Sequence, residues 1–165
     1  MKTFKQKPIT VLGNPLSKGD LAPDFTAINR SLEEKGLKDF DQKYVILNVV
    51  PSLDTSVCSL QTRTINEKLA SFKNAVVLTI SNDLPFAQAR YCGAEGLDNI
   101  VTLSDHRDLD FALKYGVLIK ELRLLARSVF VLDENRKVIY LEYLDEMSLH
   151  PNYDQLFEFL ESNLK

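Results

Sequence analysis

The run Tyr44-Val45-Ile46-Leu47-Asn48-Val49-Val50-Pro51-Ser52-Leu53-Asp54-Thr55-Ser56-Val57-Cys58 decides the fold. Its first seven residues are rich in β-branched side chains and nearly continuous in apolar character, which predicts a central strand covered on both faces. Pro51 ends that strand, because it has no N–H to give a neighbour and holds φ at about −65°. From residue 56 to 72 the apolar positions Ile65, Leu69 and Phe72 recur at helical spacing, and Cys58, seven residues before Ile65, falls on nearly the same stripe. A thiol therefore lies where a strand gives way to a helix, turned inward toward a pocket. The N–H groups of a helix's first turn lack intrahelical partners and carry partial positive charge, so a sulfur placed there is favoured in its anionic, reactive form.

Outward from this junction the chain alternates strands with helices. Residues 75–80 read as a second central strand, 84–91 as a helix with Cys92 near its C-terminal end, 100–103 as a short strand, and 109–114 as a helix closed by Gly116. Another strand is expected at Ser128–Leu132, and Asp133-Glu134-Asn135-Arg136 reads as a turn that returns the chain antiparallel over 137–143, with Asn135 the expected left-handed residue. Residues 153–164 follow Pro151-Asn152 and set Leu156, Phe157, Leu160 and Leu164 on one side of a C-terminal helix. Near the start, 9–12 and 25–28 are expected as short strands of an N-terminal β-hairpin, punctuated by Gly13-Asn14-Pro15, Lys18-Gly19-Asp20 and Pro23-Asp24. The pattern is that of an α/β domain. No repeat or linker divides it, so residues 1–165 are expected to fold as one domain.

Composition removes several function classes. Lys and Arg are scattered among acids in a chain of net charge −3, which gives no footprint for nucleic acid. The basic start Met1-Lys2-Thr3-Phe4-Lys5-Gln6-Lys7-Pro8 lacks the apolar stretch of a secretory signal, and no window reaches the roughly 18 apolar residues of a membrane span. A cytoplasmic protein without stable membrane association is expected. Cys58, Cys92, His106 and His150 form no close Cys-x-x-Cys or His-x-x-x-His pair, and no phosphate loop or haem motif occurs, so neither metal nor cofactor is expected. Two cysteines with no third competitor invite a redox pair. A general dithiol oxidoreductase would place its cysteines as Cys-x-x-Cys on one helical turn, but positions 55 and 61 are Thr and Gln. A peroxide-sensing interaction protein is the other alternative.

The chain resembles the peroxiredoxins, and within them the atypical two-cysteine thiol peroxidases of bacteria. Pro51, Thr55 and Cys58 occupy the family's Pro-x-x-x-Thr-x-x-Cys pattern, in the fuller Pro-Ser-x-Asp-Thr-x-Val-Cys form of that branch. Gly19-Asp20-Leu21-Ala22-Pro23-Asp24-Phe25 is similar to the shared N-terminal signature, Arg90-Tyr91-Cys92-Gly93-Ala94-Glu95-Gly96 to the segment of the resolving cysteine, and Leu125-Ala126-Arg127-Ser128-Val129-Phe130-Val131-Leu132 to the segment of an active-site arginine. Pro151-Asn152-Tyr153-Asp154 extends the match toward the end.

The resemblance implies a thioredoxin-like fold with a mixed central sheet and flanking helices, and a thiol peroxidase that needs no prosthetic group. It implies Cys58 as peroxidatic cysteine, Cys92 as resolving cysteine in the same subunit, and Arg127 as the cation beside the sulfur. Thr55 is implied to bond the sulfur or peroxide, with capping of the turn by Asp54 or Thr55 expected in addition, and Pro51 to shield the pocket. Hydrogen peroxide and organic hydroperoxides are the implied substrates, thioredoxin or a similar dithiol the reductant, and a homodimer the assembly. Two departures bear on loop shape: the glycines usual before the arginine segment are absent from Lys120-Glu121-Leu122-Arg123, and Asn135-Arg136 replaces a glycine-containing turn.

Overall fold

The computed structural model describes residues 1–164. In chain order its strands and helices are β1 (Thr3–Phe4), β2 (Lys7–Pro8), β3 (Val11–Leu12), β4 (Ala27–Ile28), β5 (Glu34–Lys35), β6 (Tyr44–Val49), α1 (Ser56–Leu69), β7 (Ala75–Ser81), α2 (Pro85–Glu95), β8 (Val101–Ser104), α3 (Asp110–Tyr115), β9 (Leu118–Ile119), β10 (Leu124–Leu125), β11 (Ser128–Leu132), β12 (Val138–Tyr143) and α4 (Tyr153–Asn163). The main sheet runs β12-β11-β6-β7-β8-β4-β5. β6, β7 and β8 are parallel to one another, while β11 is antiparallel to both β6 and β12. This is the mixed sheet of a thioredoxin-like α/β fold.

β6 sits inside the sheet, and the alternation of its side chains defines the two layers. Val45, Leu47 and Val49 join one core with Phe25, Phe111, Tyr115 and Phe130. Ile46 points the other way, into a core built with Ile65 and Leu69 of α1 and Leu156, Leu160 and Leu164 at α4. By the period-two rule Asn48 shares the face of Ile46, so a buried amide on the strand meets α1. The stripe that α1 buries is Cys58, Gln61, Thr62, Ile65 and Leu69. Its lower half is apolar, and its upper half, beside Asn48, is polar.

The long elements follow the sequence expectations to within a few residues, and Gly116 after α3 is left-handed (φ 70°); Asn152 caps α4, its side chain accepting from Gln155 N. An N-terminal β-hairpin is present, but it is made by β1 and β2, with Thr3 opposite Pro8 and Phe4 opposite Lys7. The segments 9–12 and 25–28 do not pair with each other: β3 joins β9, and β4 joins β8 and β5. The observed turn holds Lys5 and Gln6 at φ 50° and 65°, so it lacks the Asn or Gly that marks such turns in sequence. In the β11–β12 turn the left-handed residue is Arg136 (φ 61°), not Asn135. The Asp133 carboxylate draws in the N–H groups of Asn135 and Lys137, both at 2.9 Å. The Arg136 guanidinium then donates to the carbonyls of Phe40 and Gln42 at 2.6 and 3.0 Å, which holds that residue in its strained conformation.

Candidate active site

Cys58 lies in the first turn of α1, at the C-terminal edge of the parallel strands. It is fully buried and packs with Val50, Leu53 and Tyr91. Arg127, in the extended stretch just before β11, is 2% exposed and aims its guanidinium at the sulfur, with Nη2 donating to Sγ at 3.2 Å. A permanent cation with a directed N–H at this distance is placed to meet charge that develops at the sulfur or on an oxygen leaving beside it.

The guanidinium is fixed on its other edges. Nη1 donates to Gln61 Oε1 and Nε to the Met147 carbonyl, both at 2.8 Å. Gln61 Nε2 donates to Asn48 Oδ1 at 2.7 Å, and Asn48 Nδ2 to the hydroxyls of Thr62 and Thr79 at 3.1 and 3.2 Å. A buried polar thread thus runs from the sulfur into the sheet, and it explains the polar half of the α1 stripe. Met147 is held from the far side, since its N–H donates to the Thr3 carbonyl at 2.9 Å. The carboxyl of Glu146 beside it is pulled down to about 2 by the hydroxyls of Thr3 and Ser148. The terminal strand β1 therefore buttresses the arginine.

Pro51 is buried at the strand-to-loop break, as expected. Thr55 occupies the N-cap position of α1 with extended backbone, but its side chain caps nothing: Oγ1 donates to the Ser52 carbonyl at 3.1 Å. No side-chain cap closes this turn from Asp54 either, which corrects the expected capping. Loop residues 52–54 are ordered instead by Asp83, whose carboxylate already accepts the Leu53 N–H. The Thr55 hydroxyl does not bond Cys58 here.

Cys92 is also fully buried and free, in the last turn of α2. No N–H donor points at its sulfur among the bonds described. Burial pushes its thiol up, an effect that Arg30 lowers and Asp98 reinforces. The structure does not bring the two cysteines together: each thiol is free and the sulfurs are apart. A cleft of about 570 Å³ lies between loop residues 52–54 and α2, and Leu53 and Tyr91, which pack on Cys58, contribute to its wall. Among the described residues no group of three or more His, Cys, Asp or Glu side chains is gathered as a metal site.

Reading the sequence missed four groups that frame Cys58: Gln61, Asn48, Met147 and Tyr153. Gln61 falls on the inward helical stripe, so its position was a usable signal for burial. Tyr153 opens α4, and burial pushes its phenol up to about 12, with Arg127 lowering that value and Cys58 raising it. Only the fold brings that phenol within electrostatic reach of the sulfur.

The family model Redoxin matches residues 17–156. A thiol peroxidase of Bacillus subtilis (strain 168) is 56% identical over 163 residues, covering 99% of this chain and 98% of the relative. One of Listeria innocua is 56% identical over 156 residues, 94% of each. Among solved structures, a peroxiredoxin-like protein from Aquifex aeolicus superposes with a TM-score of 0.89 at 36% identity, covering 98% of this chain and 95% of that one. A thiol peroxidase from Chromobacterium violaceum gives 0.90 at 24% identity, covering 99% and 97%, which bears on the fold alone.

Proposed function

The chain belongs to the Redoxin family, in the thiol peroxidase branch of the peroxiredoxins, and on that premise we propose that Cys58 is the peroxidatic cysteine of this enzyme and Cys92 its resolving partner in the same subunit. The observation that carries the assignment is the Arg127 Nη2–Cys58 Sγ hydrogen bond of 3.2 Å at a helix start. The Cys58 thiolate attacks the terminal oxygen of a hydroperoxide. An S–O bond forms as the O–O bond breaks, the sulfur gives up two electrons to become a sulfenic acid, and the leaving oxygen takes a proton and departs as water or an alcohol. Cys92 then attacks that sulfur; the S–S bond forms, the S–O bond breaks and water leaves. A thioredoxin-like dithiol reopens the disulfide by exchange and returns the two electrons.

Arg127 serves both charges of the first step, the thiolate and the departing oxygen. Pro51 walls one side, and Thr55, one helical turn before the sulfur, needs only to turn its hydroxyl away from Ser52 to reach an incoming peroxide. Hydrogen peroxide and organic hydroperoxides are the substrates, and Leu53 beside the sulfur accommodates an alkyl chain. We place the enzyme in the cytoplasm as a homodimer, with residues 1–165 as one peroxiredoxin domain. No helix among the described residues is long and apolar enough to cross a membrane.

Stopped-flow consumption of a hydroperoxide during repeated turnover with thioredoxin tests the assignment, because a sensor need react only once while a catalyst cycles. Mass spectrometry after one equivalent of peroxide should find an intrachain Cys58–Cys92 disulfide. Links between Cys58 residues of different chains, with none to Cys92, would overturn the intrasubunit mechanism.

A further inference from the structure

One carboxylate holds the segment that leads into Cys58. Asp83 lies between β7 and α2, two residues before Pro85 opens the helix that carries Cys92. Its Oδ1 accepts from Ser52 Oγ at 2.7 Å, and its Oδ2 from the Leu53 N–H at 2.8 Å and Ser81 Oγ at 2.7 Å. Ser52 Oγ accepts in turn from the Asp54 N–H at 3.2 Å, so the carboxylate orders three consecutive residues of the loop. On the opposite side Ser81 Oγ receives Gln88 Nε2 of α2 at 3.1 Å, and the Asp83 carbonyl receives Ser104 Oγ at 2.6 Å. Loop residues 52–54 are thereby fastened to the ends of β7 and β8 and to α2.

The same join continues along the two helices. The Tyr91 hydroxyl pairs with Ser59 Oγ at 3.0 Å and donates to the Ser59 carbonyl at 3.3 Å, and Arg63 meets Glu95 at 2.7 Å. The contact row is thus 59 and 63 on α1 against 91 and 95 on α2. Cys58 and Cys92 each adjoin this row by one residue, buried and unbonded to each other.

We propose that Asp83 is a positioning residue, a latch that keeps loop 52–54 and the start of α1 in the form that reacts with peroxide and that must release before Cys92 reaches the oxidised Cys58. The proposal rests on the roles assigned to those cysteines above. A hydrogen bond to a charged group is worth about one to two decades in an equilibrium constant, and two bonds from the loop end on this carboxylate, so opening the loop requires breaking both. Because Asp83 favours only the closed form, weakening it should affect the two half-reactions in opposite directions. General destabilisation would not do so.

The test uses the full chain with Asp83→Ala, Asp83→Asn and Ser52→Ala, oxidised with one equivalent of hydrogen peroxide and followed by rapid quenching and mass spectrometry that separates sulfenic acid from disulfide. Asp83→Ala should slow Cys58 oxidation about tenfold and speed disulfide closure about tenfold. Hydrogen exchange should show lost protection at the Leu53 amide. Asp83→Asn keeps an acceptor for that amide and should fall between Asp83→Ala and the unmutated protein. Ser52→Ala removes the Oδ1 bond and the acceptor of the Asp54 N–H but leaves the Leu53 N–H on Oδ2, so it should give the same opposed signs at smaller size, which decides the matter if Asp83→Ala does not fold. Equal slowing of both steps, or no change in either, would overturn the latch. An unmutated protein that never forms the Cys58–Cys92 disulfide would overturn the parent assignment, whereas a normal disulfide there with unaltered half-reactions in the variants rejects Asp83 alone.

Discussion

Cys58 and Cys92 are equally hidden from solvent and lie on helices joined side by side, yet their surroundings differ in kind. Cys58 sits in a first turn, where helix N–H groups are unpaired, and receives a guanidinium N–H held by Gln61 and Met147. Cys92 sits in a last turn, where its own carbonyl accepts from the N–H groups of Gly96 and Leu97 and the helix end carries partial negative charge. Burial without a donor pushes its thiol up. Burial alone thus surrounds one thiol, and a fixed cationic donor meets the other.

The strongest way to break that contrast is to remove each sulfur in turn. Cys58→Ser should abolish even the first round of peroxide reduction, since a serine hydroxyl is a far poorer nucleophile near neutral pH. Cys92→Ser should keep the first round at its normal rate, stall with one added oxygen on Cys58, and lose thioredoxin-driven turnover. Single-turnover peroxide loss and mass spectrometry read both outcomes. If Cys92→Ser recycled normally, the quiet thiol would have no part in the cycle.

A smaller effect comes from removing the donor and leaving both sulfurs. Arg127→Met deletes the charge and its directed N–H groups with little change of length, and should slow single-turnover oxidation of Cys58 by about one to two decades, the kinetic equivalent of a charged hydrogen bond of about 1.5–3 kcal/mol. An unchanged rate constant would remove Arg127 from the chemistry. Gln61→Leu should slow the same step less, because Met147 still holds Nε. It should also lower the thermal midpoint, because it leaves Nη1 and Asn48 Oδ1 buried without these partners.

Much of this contrast could be read from the residues, and the part that could not has a physical cause. The β6-to-α1 junction announced itself through β-branched residues, Pro51 and helical spacing, all of which are local. The frame of Arg127 is not local: Met147 and Gln61 lie 20 and 66 positions away from it, Met147 carries no sequence mark of its own, and the place of Gln61 on the inward stripe signals burial but not its partner. The hairpin turns show a second limit. At 5–6 and at 136 the left-handed residues are Lys, Gln and Arg, held by the surrounding fold where sequence rules look for glycine or asparagine. The missing glycine before the arginine segment is of the same kind, since Arg123 stands at φ 53°. Both departures from the family pattern thus fall where backbone is left-handed, outside the sulfur's own contacts.

The finest test concerns the outer edge of the Cys58 site, where Thr55 offers a hydroxyl that is committed elsewhere. Its bond to the Ser52 carbonyl is exposed and neutral, so losing it should cost at most about 1 kcal/mol of stability. If the hydroxyl leaves that carbonyl to meet the peroxide, Thr55→Val, which keeps the β-branched shape, should slow single-turnover oxidation of Cys58 about two- to tenfold, as one neutral hydrogen bond requires. The rate of disulfide closure after oxidation should not fall with it, because the bond that is lost only ties the loop that must open for closure. Parallel thermal unfolding separates the two accounts of the residue. A slower first step with an intact cooperative transition assigns the hydroxyl to the reacting centre and adds a second donor to the side of the contrast that already has one. A normal first step with a lowered midpoint leaves Thr55 as a loop tie, and Arg127 as the one side chain that distinguishes the reactive thiol from the quiet one.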